Sequence, residues 1–144
     1  MPADILTVAD AVVTALNAGS FSIEFEAERS YFATRELSAY EGLSVTVMPA
    51  ADEGKLNSRT SSVHDFTIHI AVQQKLAATT SAEIDPLLLL TQEIADYFLY
   101  GSRPGNAKLV SPQIRVLFNE AHLRELKQFT AVIQLTLKHW RDAG

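Results

Sequence analysis

Apolar residues recur along the chain with two different spacings. In residues 4–17 they lie three and four positions apart, which is the spacing of one face of an amphipathic helix, and Gly19 follows as a stop signal. A second helix is predicted to begin at Asp85 and Pro86, a capping residue followed by a proline at the first helical position, and to run to Tyr100. Its apolar residues cover much of its circumference, so we expect it to be buried more deeply than the first.

Elsewhere apolar and polar residues alternate, which is typical of strands with one buried face. Segments with this alternation lie at residues 21–28, 43–49, 66–72, 114–118 and 129–138. Pro49 is expected to end the second of them, because proline cannot donate a hydrogen bond within a sheet. Together the two patterns predict a single α+β domain over residues 1–144, with a mostly antiparallel sheet of four to five strands and two main helices packed on it.

A polar segment separates two of these strands. Residues 50–63 have almost no apolar content and include turn-forming glycine and asparagine, which predicts a long, exposed hairpin loop. The charged residues of this loop are the predicted partner contacts, and they are Asp52, Glu53, Lys55 and Arg59. A disordered hairpin tip would have the same composition, so the residues alone leave both interpretations open.

Composition and charge narrow the range of ligands. The chain of 144 residues is 47% hydrophobic and 20% charged, which is ordinary for a globular domain. Its net charge of −5 opposes tight binding to phosphates, although it would suit a surface that DNA must slide past. The longest apolar run, Pro86–Leu90, is far shorter than the roughly 20 residues that span a bilayer. No signal peptide is recognisable, so we expect a protein made and kept in the cytosol.

The candidate chemical groups do not form a recognisable catalytic or metal site. There is no cysteine, and His64 and His69 are expected on opposite faces of one strand, where they cannot share a metal. Glu24, Glu26 and Glu28 share a strand face, but a half-exposed strand needs such a polar face. Serine-nucleophile and phosphate-binding glycine motifs are missing. The sequence therefore predicts no enzyme activity, no catalytic residue, no metal and no cofactor.

The order of the predicted elements resembles a known class of viral proteins. The resemblance is carried by Leu43–Ala50, a polar loop containing Arg59, the strand Asp65–Lys75 and the strand Phe129–Lys138. These segments, and nearly the whole chain around them, resemble the tail terminator and tail completion proteins, or neck proteins, of long-tailed bacteriophages.

The resemblance implies a structural virion protein. Members of that class pack helices on a sheet and close into a ring, commonly a homohexamer, which caps the tail tube and joins it to the head-neck connector or stopper protein. The implied partners are therefore other copies of the chain, the tail tube protein and the connector, while DNA passes through the ring without sequence-specific binding. The implied location is the virion neck, assembled in host cytoplasm, with no membrane partner and no inherited catalytic residue.

Other functions fit the same sequence. A head-completion (stopper) protein or a minor tail protein of the same neck would also form a ring and would have the same composition. A small-ligand-binding or enzymatic α+β domain would need a polar cluster within the apolar pattern, and the predicted strands contain none. A cellular dimer would use the same faces to meet a single partner.

Overall fold

The computed structural model describes residues 4–33, 37, 42–101 and 103–142, so the two ends of the predicted domain, residues 1–3 and 143–144, lie outside the described residues. The elements follow in the order α1 (Asp4–Ala18), β1 (Ala27–Arg29), β2 (Ser44–Leu56), β3 (Ser61–Lys75), α2 (Ser81–Tyr100), β4 (Leu109–Val116) and β5 (Gln128–Asp142). A short 3-10 turn, Pro104–Asn106, precedes β4, and a π turn, His122–Leu126, precedes β5. The predicted α+β class, with two main helices, is confirmed.

All five strands belong to one sheet in the order β1-β2-β3-β5-β4. Strand β1 runs parallel to β2, whereas the other three neighbouring pairs are antiparallel. The central pair is β3 and β5, each 15 residues long, which lie side by side from Ser61↔Asp142 to Lys75↔Gln128. The mostly antiparallel sheet that was predicted is therefore confirmed.

Both helices pack on the same face of the sheet and enclose one core. Helix α1 contacts β1 and β2, while α2 contacts β4 and β5. Full burial of a leucine, isoleucine or phenylalanine side chain contributes about 1.5–3 kcal/mol, so these rows supply most of the driving force for folding. The core rows of the sheet comprise Val45, Val47, Phe66, Ile68, Ile70, Val72, Phe129, Ala131, Ile133, Leu135 and Leu137.

The first predicted strand is mostly not a strand. Its apolar residues face inward as the alternation indicated, but only Ala27–Arg29 pairs with β2. Within residues 21–26 the Ser22 amide donates instead to a Glu93 carboxylate oxygen at 3.1 Å. Alternation reports which side chains are buried, and it cannot show whether a neighbouring strand is present to complete the hydrogen bonds.

The prediction that Pro49 ends β2 was wrong, and so was the loop over most of residues 50–63. Strand β2 continues through a bulge between Pro49 and Ala51, and only residues 57–60 form a turn. Proline is tolerated there because this side of β2 has no neighbouring strand among the described residues beyond the short pairing with β1. The hairpin itself lies where it was predicted, and residues 50–60 are exposed.

Helix α2 begins at Ser81 rather than at the Asp85–Pro86 pair. Thr80 is its N-cap, and the Glu83 carboxylate accepts a hydrogen bond of 2.6 Å from the Ala78 amide just before the helix. Pro86 consequently lies inside the helix, where its ring removes one backbone hydrogen bond. The composition of the pair matched a helix start, but the helix already begins four residues earlier, although the Thr80 side chain makes no capping hydrogen bond.

Strand β4 also differs from its prediction. It spans Leu109–Val116 and includes Pro112, whereas Leu117 and Phe118 lie beyond its end and are exposed. As an edge strand, β4 tolerates a proline that a central strand would not. In the described part of the chain, neither helix combines the length and the apolar character needed to cross a membrane.

Candidate functional site

The β2–β3 hairpin continues beyond the apolar core as a hairpin arm, defined here as residues 50–65. Residues 50–60 are all exposed, yet they keep their strand pairing, with Leu56 opposite Ser62 at the tip. The end of β5 supports the arm from one side, because Arg141 and Trp140 pair with Ser62 and Val63. The arm is therefore a three-stranded extension of the sheet that ends in the turn at residues 57–60.

The turn at the tip is closed by short polar contacts. The amides of Asn57 and Ser58 donate to the Ser61 carbonyl at 3.0 and 3.2 Å. The Ser58 and Ser61 hydroxyls lie 2.9 Å apart, and the Thr60 amide donates to the Ser58 hydroxyl at 3.3 Å. Serine and asparagine side chains commonly satisfy turn backbone in this way, so the tip has a defined shape despite its exposure.

The four predicted contact residues all lie on the arm, but they do not form one cluster. Asp52 faces the helix side of the sheet and contacts His64. Glu53 and Lys55 face the other side, because neighbouring positions of a strand alternate, and Arg59 lies in the turn. A partner would thus meet Asp52 and Glu53 from different directions.

A polar network at the base of the arm centres on His64, whose side chain is nearly buried. Its Nδ1 lies 2.8 Å from Asp52 Oδ1, and its Nε2 lies 2.7 Å from Arg141 Nη2 and 3.1 Å from Ser62 Oγ. Arg141 in turn donates to Asp4 Oδ2 at 2.5 Å, in the first turn of α1. The network joins the arm, the end of β5 and the start of α1.

Gly54 makes room for this histidine. A Cβ atom at position 54 would lie 2.9 Å from Cε1 of the His64 ring, which is closer than real contacts allow. The two residues are paired across the hairpin, so the absence of a side chain on one lets the imidazole lie flat against the other strand. Gly54 was interpreted from sequence as a turn former, but its role is this close approach.

Asp52, His64 and Ser62 contact one another in the order of a catalytic triad with a serine nucleophile. The hydrogen bonds of His64, however, argue against a catalytic role. A guanidinium group can only donate, so the Arg141 contact makes Nε2 the acceptor and places the ring proton on Nδ1, from which it is donated to Asp52. The lone pair that would remove a serine proton is therefore already held by a permanent cation. The contacts therefore fit a structural role for His64, in a network that links three elements, better than the role of a catalytic base.

Sequence reasoning missed the histidine and arginine of this network. His64 carried a usable signal, because it shares the inward-facing register of Phe66, and a polar side chain in such a register needs a partner. Arg141 carried none, since it lies 77 residues away along the chain. The prediction that His64 and His69 lie on opposite faces is confirmed, since His69 pairs with Met48 and Gln134 on the other side.

The three glutamates predicted to share a face do not line one site. Glu26 and Glu28 border a cleft of about 380 Å³ beside the start of β2, together with Ser30 and Thr46. Glu24 borders a different cleft near the end of α1. All three side chains are exposed, which agrees with the interpretation of this row as a solvated face.

The sheet face opposite the helices is covered at one end by the described residues. There the Leu37 amide donates to Gln128 Oε1 at 2.7 Å, and His122 Nδ1 lies 2.8 Å from Thr130 Oγ1. Between these contacts and the Asp65–Lys138 ion pair at the arm end, the central part of the face is mostly half-buried and carries small or uncharged side chains. Its central rows consist of Thr46, Met48, Thr67, His69, Ala71, Val132, Gln134 and Thr136.

An apolar groove lies between α2 and β4 and has a volume of about 540 Å³. Leu89 and Leu117 on its walls are 50% and 48% exposed, and Leu88 and Ile114 form its floor. Asp85 and Gln92 are the polar residues on its rim. Because Ile114 pairs with β5 at Ile133 while the arm adjoins the other end of β5, the groove and the arm tip lie at opposite ends of the sheet.

No protein-family model matches the sequence, and no curated protein is detectably similar to it.

Proposed function

We propose that this chain is a structural virion assembly protein, a ring-forming tail terminator that caps the tail tube and joins it to the head-neck connector. The observation that carries the proposal is the hairpin arm, a paired and fastened extension of the sheet that encloses no core of its own. Ordering an exposed strand pair costs conformational entropy that little apolar burial offsets. Such a pair is therefore expected to take part in a contact with another molecule. The resemblance described above supplies the class of protein.

The two ends of the domain support assembly into a ring. One end bears the polar arm, and the other bears the groove between α2 and β4, so a contact between these different surfaces is head-to-tail. Repeated head-to-tail contacts close into a ring when the rotation between neighbours permits it. A symmetric dimer would instead need one surface that fits itself.

The charge of the chain is consistent with the passage of DNA. A net charge of −5 gives no general attraction for phosphates, and the central sheet face bears no lysine or arginine in the rows named above. A ring bore built from such surfaces would let a duplex slide without adsorbing to it. The proposed partners are therefore other copies of the chain, the tail tube protein and the connector.

The test is the mass of the purified protein by light scattering across a concentration series, alone and with tail tubes polymerised from the tube protein of the same virus. Rings of about six subunits are expected either alone or on tube ends, as closed cyclic assembly requires. Negative-stain images should show capped tubes of fixed length. A protein that stays monomeric or dimeric and never binds tube ends would contradict the proposal, and a ring that binds only the connector would favour the stopper.

A shortened arm gives the structural control. Replacing residues 55–63 with Asn-Gly joins the paired residues Gly54 and His64 by a two-residue turn and should leave the body folded. If the arm meets the tube or the next subunit, this variant loses capping while its circular dichroism spectrum is unchanged. Normal capping by the shortened protein would show that the arm has no part in the proposed function.

A further inference from the structure

Leu56 is an unusual residue for the tip of a polar hairpin. Its side chain is 85% exposed, the most exposed of the large apolar side chains that the structure describes. It is the last residue of β2, so it stands at the end of the arm, away from the core. An isolated exposed leucine is common, but one held at the end of an ordered extension is positioned to enter an apolar site.

The groove between α2 and β4 has the matching character. Its two walls, Leu89 and Leu117, each leave about half of their surface in solvent, and no described side chain fills the space between them. An apolar side chain inserted there would be removed from water together with both walls. Such a central apolar anchor is the usual source of energy in a protein contact.

Charges on the two surfaces are complementary. Lys55 precedes Leu56, and Arg59 lies in the adjoining turn, and neither forms an ion pair with the described residues. Asp85 lines the groove and is likewise without an ion pair in the described part of the chain. The tip is therefore basic and apolar, and the groove is apolar with an acidic residue on its rim. Complementary charges of this kind favour the correct pairing of two surfaces over incorrect pairings.

Pairing of strand edges is the alternative way for copies to join, and the edges oppose it. Pro49 and the adjacent bulge interrupt the free side of β2, while Pro112 lies in β4 at the other edge. Prolines, bulges and charged residues at sheet edges are features that prevent strand addition. Contact through side chains is therefore favoured over a continuous sheet.

We propose that Leu56 of one copy inserts into the α2–β4 groove of a second copy, with Lys55 and Arg59 beside Asp85. Tip and groove lie at opposite ends of the sheet, separated by about 30 Å at 3.3 Å per strand residue, so each copy offers a tip to one neighbour and a groove to the other. This contact names the interface of the proposed ring and rests on that proposed function.

Two variants and a matched control test the contact. Leu56→Asp should disable the tip, and Leu89→Asp should disable the groove, each weakening self-association by about tenfold or more, as the loss of an anchor does. Leu99→Asp is the control, because Leu99 lies on the same helix and is 49% exposed against 50% for Leu89. Leu117→Asp replaces Leu89→Asp if the latter unfolds. Sedimentation velocity gives the masses.

Mixing the two disabled proteins gives the sharper readout. Each alone should be monomeric, whereas a mixture retains one intact tip and one intact groove and should form a one-to-one heterodimer that cannot extend. Lys55→Glu should weaken assembly, and its combination with Asp85→Lys should restore it in part. A mixture that stays monomeric, or a Leu56→Asp protein that assembles as the parent does, overturns the contact.

The outcomes of these experiments distinguish a failure of this contact from a failure of the proposed function. If Leu56→Asp and Leu89→Asp still form rings that cap tubes, the ring proposal stands and this interface is wrong. If the parent chain never assembles, alone or on tubes, the ring proposal fails and the interface is rejected with it. Loss of assembly in the Leu99→Asp control as well would show a general effect of charge on α2 and would also overturn the specific contact.

Discussion

The body and the arm of this protein share two strands but are held together differently. In the body, β3 residues such as Ile70 are completely buried between the helices and the neighbouring strands. In the arm, the same strand keeps its register with β5, whereas a bulge between Pro49 and Ala51 shifts its register with β2, and residues 50–56 opposite it are all exposed. Backbone pairing thus extends well beyond the apolar core, because the end of β5 and a few polar side chains replace burial as the support.

The body and the arm are therefore stabilised by different kinds of contact. Burial of apolar surface gives the body its free energy of unfolding, whereas the arm depends on hydrogen bonds and half-exposed ion pairs that contribute little each. A segment of this kind can open locally without unfolding the rest. Substitutions in the two regions should therefore differ in size and in what they change.

The largest difference is expected between an apolar residue of the body and one of the arm. Ile70→Ala should lower the free energy of unfolding by about 2–5 kcal/mol, because it leaves a cavity in a fully buried site. Leu56→Ala should change it by no more than about 0.5 kcal/mol, since the side chain is exposed. Urea denaturation followed by circular dichroism measures both, and equal effects would contradict the division between body and arm.

A smaller effect is expected at the glycine under His64. Gly54→Ala should destabilise by about 1–2 kcal/mol, because the added methyl group displaces the imidazole from Asp52 and Arg141. Gly42→Ala is the matched control, since a Cβ at that position meets no atom of the described residues within 4 Å. Thermal unfolding of both variants checks the prediction, and an equally mild result for the two would show that the ring can move at no cost.

Loss of the arginine should loosen the arm with little change in the body. Arg141→Gln removes an ion pair in which both partners are roughly half exposed, so the free energy of unfolding should fall by less than about 1 kcal/mol. Hydrogen exchange at residues 61–65 should accelerate, while the amides of the central β3–β5 pairing keep their protection. Uniform acceleration along β3 would mean that arm and body open as one unit.

The smallest effect is expected from salt. At about 1 M ionic strength charges are screened beyond about 3 Å, so the ion pairs of Asp4 with Arg141 and of Asp65 with Lys138 should weaken, whereas apolar burial does not. The free energy of opening the arm should then fall by a few tenths of a kcal/mol, and its amides should exchange faster. Body amides in the same sample serve as the internal control, and a greater response there would contradict the assignment.

Much of the body was predictable from local patterns. Helix α1 and the apolar rows of β3 and β5 follow from spacing alone, because burial on one face leaves a direct imprint on the sequence. The errors lie where a local signal had more than one use. Pro86 and Pro49 indicated boundaries but lie inside a helix and inside an edge strand, because each element keeps its backbone pairing on both sides of the proline.

The arm was predicted as a hairpin but not as a strand pair, and its network was not predicted at all. Polar strands without a core look like loops in composition, so residues 50–56 gave no sign of regular pairing. Asp52 was correctly assigned to the arm, but its partner is a histidine on the facing strand and that histidine's partner is Arg141. Contacts between distant segments leave no spacing that a single sequence can reveal.

The fastening of the arm by Arg141 has a consequence for the order of events during synthesis. Strand β5 leaves the ribosome long after β2 and β3, so until then the arm is a two-stranded hairpin, which is marginally stable in water. Only when the last strand pairs with β3 does His64 acquire its guanidinium partner. A nascent chain therefore displays no ordered tip, and in the proposed ring the tip becomes available to other copies only after this last pairing has formed.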